Sequence, residues 1–292
     1  MSAVMAQPIN VERSKEGKKP SLLGKINKEG LSTAPYSEWF NKNYESYKTK
    51  KEAIDSLQKH LSKYTITAFM GTWCGDSKRE VPKFYKVLEE AEFPLERLTM
   101  VAVSRNRATY KQSPGGEHEA QTIHRVPTFI IYKNGKEQNR IVESPVSSIE
   151  EDLVAIIQKE YTSNYYGVTL VSELLHDLDD RKFQKKQKRL IPELKKHLKN
   201  MYELNTYSSV LFYGNLYDEA IAVARLNTLL FPNEAKTFGN LANKLLEMNE
   251  TEGALENFKK AYELDPSKEE VKKQIDQLMS SRKTASLNKT AP

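Results

Sequence analysis

Thr65-Ile66-Thr67-Ala68-Phe69-Met70-Gly71-Thr72-Trp73-Cys74-Gly75-Asp76-Ser77-Lys78-Arg79-Glu80-Val81-Pro82 changes its period halfway along, and that change decides the architecture. Residues 65–70 are β-branched or apolar with little interruption, the composition of a buried strand. Beyond Cys74, Val81, Phe84, Tyr85 and Leu88 recur at helical spacing and share one face. The cysteine therefore stands where a strand hands over to a helix.

Working outward, Ile54, Leu57 and Leu61 form one apolar stripe over 51–62, a helix able to dock on a sheet. Thr99 to Val103 reads as a second apolar strand. A polar stretch through Pro114, Gly115 and Gly116 leads to Val126-Pro127. Thr128 to Tyr132 and a return strand through Ile141 and Val142 flank Asn134-Gly135, a pair that supplies the positive φ angles of a tight hairpin. Leu153, Ile156 and Ile157 mark a closing helix. Strand, helix, strand, hairpin and helix make an α/β fold with a central mixed sheet and flanking helices.

Trp73 directly before Cys74, Pro82 eight residues after it, and Val126-Pro127-Thr128 before the last hairpin give residues 50 to 160 a close resemblance to the thioredoxin superfamily. The resemblance implies that Cys74 is the reactive thiol and that Pro127 is cis and faces it. It also implies that the Val126 backbone pairs with an extended substrate, with Trp73, Gly75, Asp76 and Thr128 around the groove. Two departures matter. Ser77 stands where the family keeps its second, resolving cysteine, and Ala68 where thioredoxins keep a buried aspartate for proton transfer.

A sulfur in the first turn of a helix sees unpaired amides and the positive end of the dipole, worth up to ~2 kcal/mol to the thiolate. Asp76, two residues on, opposes this, so a mildly activated cysteine is expected. The chain has 1 cysteine, which excludes an intramolecular disulfide. What remains is CxxS monothiol chemistry: Cys74 attacks a substrate disulfide, Ser77 can hydrogen-bond the thiolate, and glutathione or the substrate's own second thiol releases the mixed disulfide. No bound cofactor is required. His118 and His124, with Glu117 and Glu119 nearby, match no compact metal pattern, and no metal is expected.

Beyond Tyr161 the pattern is helical. Ala220 recurs as Ala254, Ala224 as Phe258, Asn227 as Ala261 and Pro232 as Pro266, an offset of 34 residues that resembles the tetratricopeptide repeat. The second copy is the fuller one, with Phe238, Leu241, Ala242 and Leu245 in its first helix, and Val271, Ile275 and Leu278 mark a capping helix. Such repeats bind partners or pair two copies of a chain. The expected organisation is a disordered tail over 1–20, a thioredoxin-like domain over 21–162, a basic helical linker over 163–200 with two short helices about Pro192, two repeats with a cap over 201–281, and a disordered tail over 282–292.

A net charge of +6 is concentrated in Lys182, Lys185, Lys186, Lys188, Arg189, Lys195, Lys196 and Lys199. No aromatics are interleaved there, so a solvated helix face is expected and not a nucleic-acid surface. No apolar run reaches the ~20 residues of a membrane span. Ala3-Val4-Met5-Ala6 before Gln7 resembles the end of a trimmed leader, which points to the periplasm; without a leader the compartment is the cytoplasm. Two functions remain open: a monothiol thiol-disulfide oxidoreductase or isomerase whose repeats recruit client proteins, and a redox-inactive thioredoxin–repeat holdase chaperone or scaffold.

Overall fold

A computed structural model describes residues 8–15, 18–119, 121–177 and 180–289. The chain divides into two units, Met1–Asn164 and Tyr165–Pro292. The first contains, in chain order, β1 (Glu12–Lys15), β2 (Lys18–Leu22), β3 (Gly24–Ile26), α1 (Lys28–Leu31), α2 (Ser37–Ser46), α3 (Lys51–His60), β4 (Thr65–Met70), α4 (Gly75–Glu90), β5 (Leu98–Ala102), β6 (Thr128–Lys133), β7 (Lys136–Val142) and α5 (Ile149–Gln158). The main sheet has the order β3-β5-β4-β6-β7. β4 and β5 run parallel, joined by the α4 crossover, and the remaining pairs are antiparallel.

β4 is buried on both faces, and the period of two sorts its side chains between two cores. Ile66, Ala68 and Met70 face the larger one, with Leu57, Phe84, Leu88, Phe129 and Leu153. Phe69 faces a smaller one with Val101, Val103, Ile123, Val126 and Ile130, against which Trp73 and Cys74 also pack. The cysteine-bearing loop is thus seated on a core of its own. Across the larger core Phe84 of α4 stacks on Phe129 of β6, with ring centroids 4.0 Å apart.

Pro82 lies inside α4, where it has no N–H to offer the Lys78 carbonyl one turn back. Asn43 of α2 supplies the missing donor: its Nδ2 donates to that carbonyl at 3.1 Å and to Trp39 O at 2.8 Å. Asn43→Leu should therefore cost about 1 kcal/mol of stability, read as a lowered urea midpoint at unchanged slope. An unchanged midpoint would show that water satisfies Lys78 equally well.

The N-terminal segment departs from the structureless tail expected over 1–20. Residues 1–7, which carry the leader-like stretch, lie outside the described residues. Beyond them β1 pairs antiparallel with β2, and β3 adds an antiparallel edge strand beside β5. Polar composition hid this order because hydrogen bonds hold it. The Asn10 amide donates to Lys25 O, Asn10 Nδ2 donates to Asn27 Oδ1, the Asn27 amide donates to Asn10 Oδ1, and Tyr36 Oη donates to Glu12 Oε2. Gly30 is required here, since a Cβ would lie 2.3 Å from Asn10 Oδ1.

The second unit contains α6 (Tyr166–Asp177), α7 (Asp180–His197), α8 (Tyr202–Tyr213), α9 (Tyr217–Leu230), α10 (Ala235–Glu247), α11 (Thr251–Leu264) and α12 (Glu269–Lys289). Three expectations are corrected. The basic stretch is one helix, α7, running through Pro192. It is no bridging linker, because Val168, Val171, Phe183, Leu194 and Leu198 share a core with Leu204, Tyr207, Ala220 and Leu226, and that packing outweighs the hydrogen bond the proline forgoes. The last helix continues to Lys289, past the expected end of order at 281.

The 34-residue offset maps onto two helical hairpins, α8–α9 and α10–α11, which pack within and between themselves. Ala220, Ala224, Ala254, Phe258 and Ala261 are all buried. Asn227, where the repeat pattern calls for alanine, is also buried, and its Nδ2 donates to Met201 O and Asn205 Oδ1, both at 2.9 Å.

Candidate active site

The site begins where β4 ends. The Cys74 amide donates to Gly71 O at 2.9 Å, closing a tight turn, and the Lys78 amide donates to Cys74 O at 3.1 Å as the first bond of α4. Cys74 is the N-cap residue of that helix, in extended conformation. Gly71 lets Trp73 fold back, since a Cβ there would lie 2.5 Å from the indole ring, and Trp73 Nε1 donates to Val103 O at 2.9 Å. The Leu22 amide donates to Thr72 Oγ1 at 3.2 Å, so the N-terminal strands brace the same loop.

The sulfur is half-buried and takes no capping bond from the first-turn amides. It turns across the groove, where the thiol donates to Val126 O at 3.2 Å. The Val126–Pro127 peptide bond is cis. Thr128 Oγ1 donates to Arg125 O at 2.8 Å and the Glu143 amide donates to Pro127 O at 2.7 Å, which fixes the loop from both sides.

Cys74 and Trp73, both half-buried, thus pack against the core that contains the buried Val126, which leads into the buried Pro127, and Gly75 is exposed next to Cys74 in the chain. Ser77 is placed differently. It is fully buried, and its hydroxyl accepts from the Gly71 amide at 3.1 Å, so its role in this structure is to hold the turn. Asp76 Oδ1 accepts from Arg79 Nη2 at 2.7 Å, which offsets the repulsion its carboxylate exerts on a thiolate. The i,i+3 spacing of Asp76 and Arg79 is the sequence signal that could have named this partner.

The sequence pattern does not single out Lys111, His124 or Arg125 as site residues. Lys111 is almost completely buried and its Nζ donates to His124 O. Burial is the largest influence on its ammonium, ahead of repulsion from Arg125; attraction to Cys74 and Glu143 opposes both, and the balance pulls its pKa down to about 7. His124 is buried beside it. Burial, and then repulsion from Lys111, bring the imidazole down to about 3, so it is neutral at ordinary pH. Lys111 had no spacing signal, and the spacing of His124 from His118 spoke only to a metal, because both residues come from an irregular polar loop.

His118 Nδ1 accepts from the Ser113 amide at 3.1 Å and His124 Nδ1 lies 3.3 Å from Thr122 O. Among the described residues no group of three or more His, Cys, Asp or Glu is placed to hold a metal ion, and no helix is long and apolar enough to cross a membrane.

Residues 31–155 match the profile of the family described as thioredoxin. Over 89 residues, 30% of this chain and 74% of the relative, the sequence is 33% identical to a thioredoxin of Geodia cydonium. Over 93 residues, 32% of this chain and 81% of the relative, it is 27% identical to Thioredoxin-1 of Schizosaccharomyces pombe. An identity of this size across three quarters of a whole thioredoxin, on a mixed sheet that carries its cysteine at the strand-to-helix turn, means that the chain belongs to the thioredoxin family.

Proposed function

We propose that this protein carries out thiol-disulfide exchange through Cys74 alone, on protein substrates held by its helical unit. The observation that carries the reading is the half-buried Cys74 sulfur facing Val126 O at 3.2 Å, with no second cysteine in the chain. The Cys74 thiolate attacks one sulfur of a substrate disulfide. A new S–S bond forms to Cys74, the substrate bond breaks, and the departing sulfur leaves as a thiolate that takes a proton from water. Ser77 cannot expel the bound half, so glutathione or the substrate's own second thiol attacks and returns Cys74 to its thiolate. Isomerisation and deglutathionylation follow from this cycle.

The paired hairpins at an offset of 34 residues support a reading as two tetratricopeptide repeats capped by α12, a binding module and not a catalytic one. Recruitment of client proteins is the role we assign to it.

The test is incubation of the reduced protein with glutathione disulfide, followed by mass spectrometry. A single glutathione adduct should form on Cys74, disappear with excess reduced glutathione, and be absent from Cys74→Ala. No adduct, under conditions where the denatured chain reacts, would exclude exchange. A Cys74→Ala protein that still suppresses client aggregation would then identify a holdase.

A further inference from the structure

We propose that Lys111 is a positioning residue for Cys74: its buried ammonium balances the negative charge of the ionised sulfur, and its bond to His124 O holds the 124–126 segment against that sulfur. This rests on the reading of Cys74 as the nucleophile.

A lysine with 4% of its surface exposed is expensive, because burial disfavours its charged form. Here the burial is built in. The Lys111 amide donates to Ser104 O and the Ser104 amide donates to Gln112 O, both at 2.9 Å, which fastens the loop just past the end of β5. Residue 111 itself holds a left-handed backbone at φ 59°, a conformation that costs a lysine energy. The side chain runs inward until Nζ lies 4.9 Å from the centre of the Tyr110 ring and donates to His124 O. His124 O and Val126 O, two residues apart, are thus taken by Lys111 and by Cys74.

The charges around Nζ are those of Arg125, Cys74 and Glu143, with the phenol of Tyr110 and the neutral imidazole of His124 also against it. Burial is the largest influence on the Tyr110 phenol and raises its pKa, followed by Arg125, Cys74 and Arg105. The Val126 carbonyl favours the thiol, since it accepts a proton that the thiolate lacks. The Lys111 ammonium behind the loop, while it keeps its proton, works the other way. Lys111 is drawn towards its charged form by Cys74, and the coupling between two such groups is reciprocal.

Two measurements test this. In the first, Cys74 alkylation by iodoacetamide is followed for wild type and Lys111→Met at pH 7 and at pH 9.5. Lys111→Met should react about 10-fold more slowly at pH 7, with the difference shrinking at pH 9.5, well above the value of about 7 at which Lys111 gives up its own charge. A purely structural role would change both rates by the same factor.

In the second, which needs no variant, 13C-labelled lysine NMR follows the Lys111 side chain through its titration before and after Cys74 is capped. Its midpoint should fall on capping, because the attracting thiolate is gone. Equal alkylation rates at pH 7, the same ratio at both pH values, or an unmoved lysine midpoint would each overturn the proposal. The exchange reading is judged separately by the glutathione adduct. An adduct that forms while Lys111→Met alkylates normally removes only the lysine's role. Slowed alkylation with no adduct in wild type removes only exchange.

Discussion

Ser77→Cys should convert a protein that barely reduces insulin into one that does so at least ~100-fold faster in the presence of dithiothreitol. The argument is one of proximity. Ser77 lies one helical turn beyond Cys74, a separation at which two cysteines can join without moving the backbone. Release of the mixed disulfide then changes from an encounter with an outside thiol to an attack from within the same helix, which raises the effective concentration of the resolving thiol by orders of magnitude. The cost is modest. Ser77 Oγ accepts from the buried Gly71 amide, and sulfur is a poorer acceptor, so the turn loses about 1 kcal/mol. Turbidity of precipitating insulin is the readout. A variant that folds and joins Cys74 to the introduced thiol in a disulfide, yet stays as slow as wild type, would show that another feature limits the rate. Ala68, where the family keeps a buried acid, is the first to examine.

The parts of this fold that repeat were legible in the sequence. β4, Cys74 and α4 announced themselves through a change of period, the final hairpin through Asn134-Gly135, both of which do adopt positive φ, and α8 to α11 through their 34-residue offset. What escaped was held by pairing between distant residues, which has no period. β1, β2 and β3 are fixed by main-chain bonds and by Asn10 with Asn27, none of which needs an apolar run. α7 passes Pro192 because its apolar face is already committed to a core. Pro82 could be read as a landmark of the family, whereas the Asn43 side chain that makes it tolerable lies 35 residues before Lys78, whose carbonyl it satisfies.

The same distinction holds at the site. Cys74, Val126 and Pro127 were named by motif and stand together, while the sulfur itself faces Val126 O and not the Ser77 hydroxyl. Lys111 has no mark in the sequence, and His124 was weighed there only as a metal ligand, since what sets both apart is burial in a loop whose sequence is polar.

That burial has a consequence for stability. His124 is held neutral, its pKa lowered from 6.5 to about 3, so between those two values the unfolded chain binds a proton that the folded chain refuses. Stability is therefore fully present above about pH 6.5 and is lost as pH falls towards 3. At ~1.4 kcal/mol per pKa unit the loss is roughly 4–5 kcal/mol, a large fraction of what holds a domain together. Lys111 adds the same sign in a higher window, 10.5 down to about 7. Its cost is already complete where that of His124 begins. Asp152 acts oppositely: burial raises its pKa, so protonation in acid relieves it and partly masks the histidine. The difference between wild type and His124→Gln isolates the effect, because glutamine fills a similar volume and does not titrate. Urea unfolding of the two proteins at pH 7, 5.5 and 4 should show the wild type falling faster, with the gap between them closing by about 3 kcal/mol over that range. Parallel curves would mean that the imidazole accepts its proton in the folded state. The loop that presents Val126 to Cys74 would then have to admit water around His124, and the dry setting in which Lys111 can act on the sulfur would be lost with it.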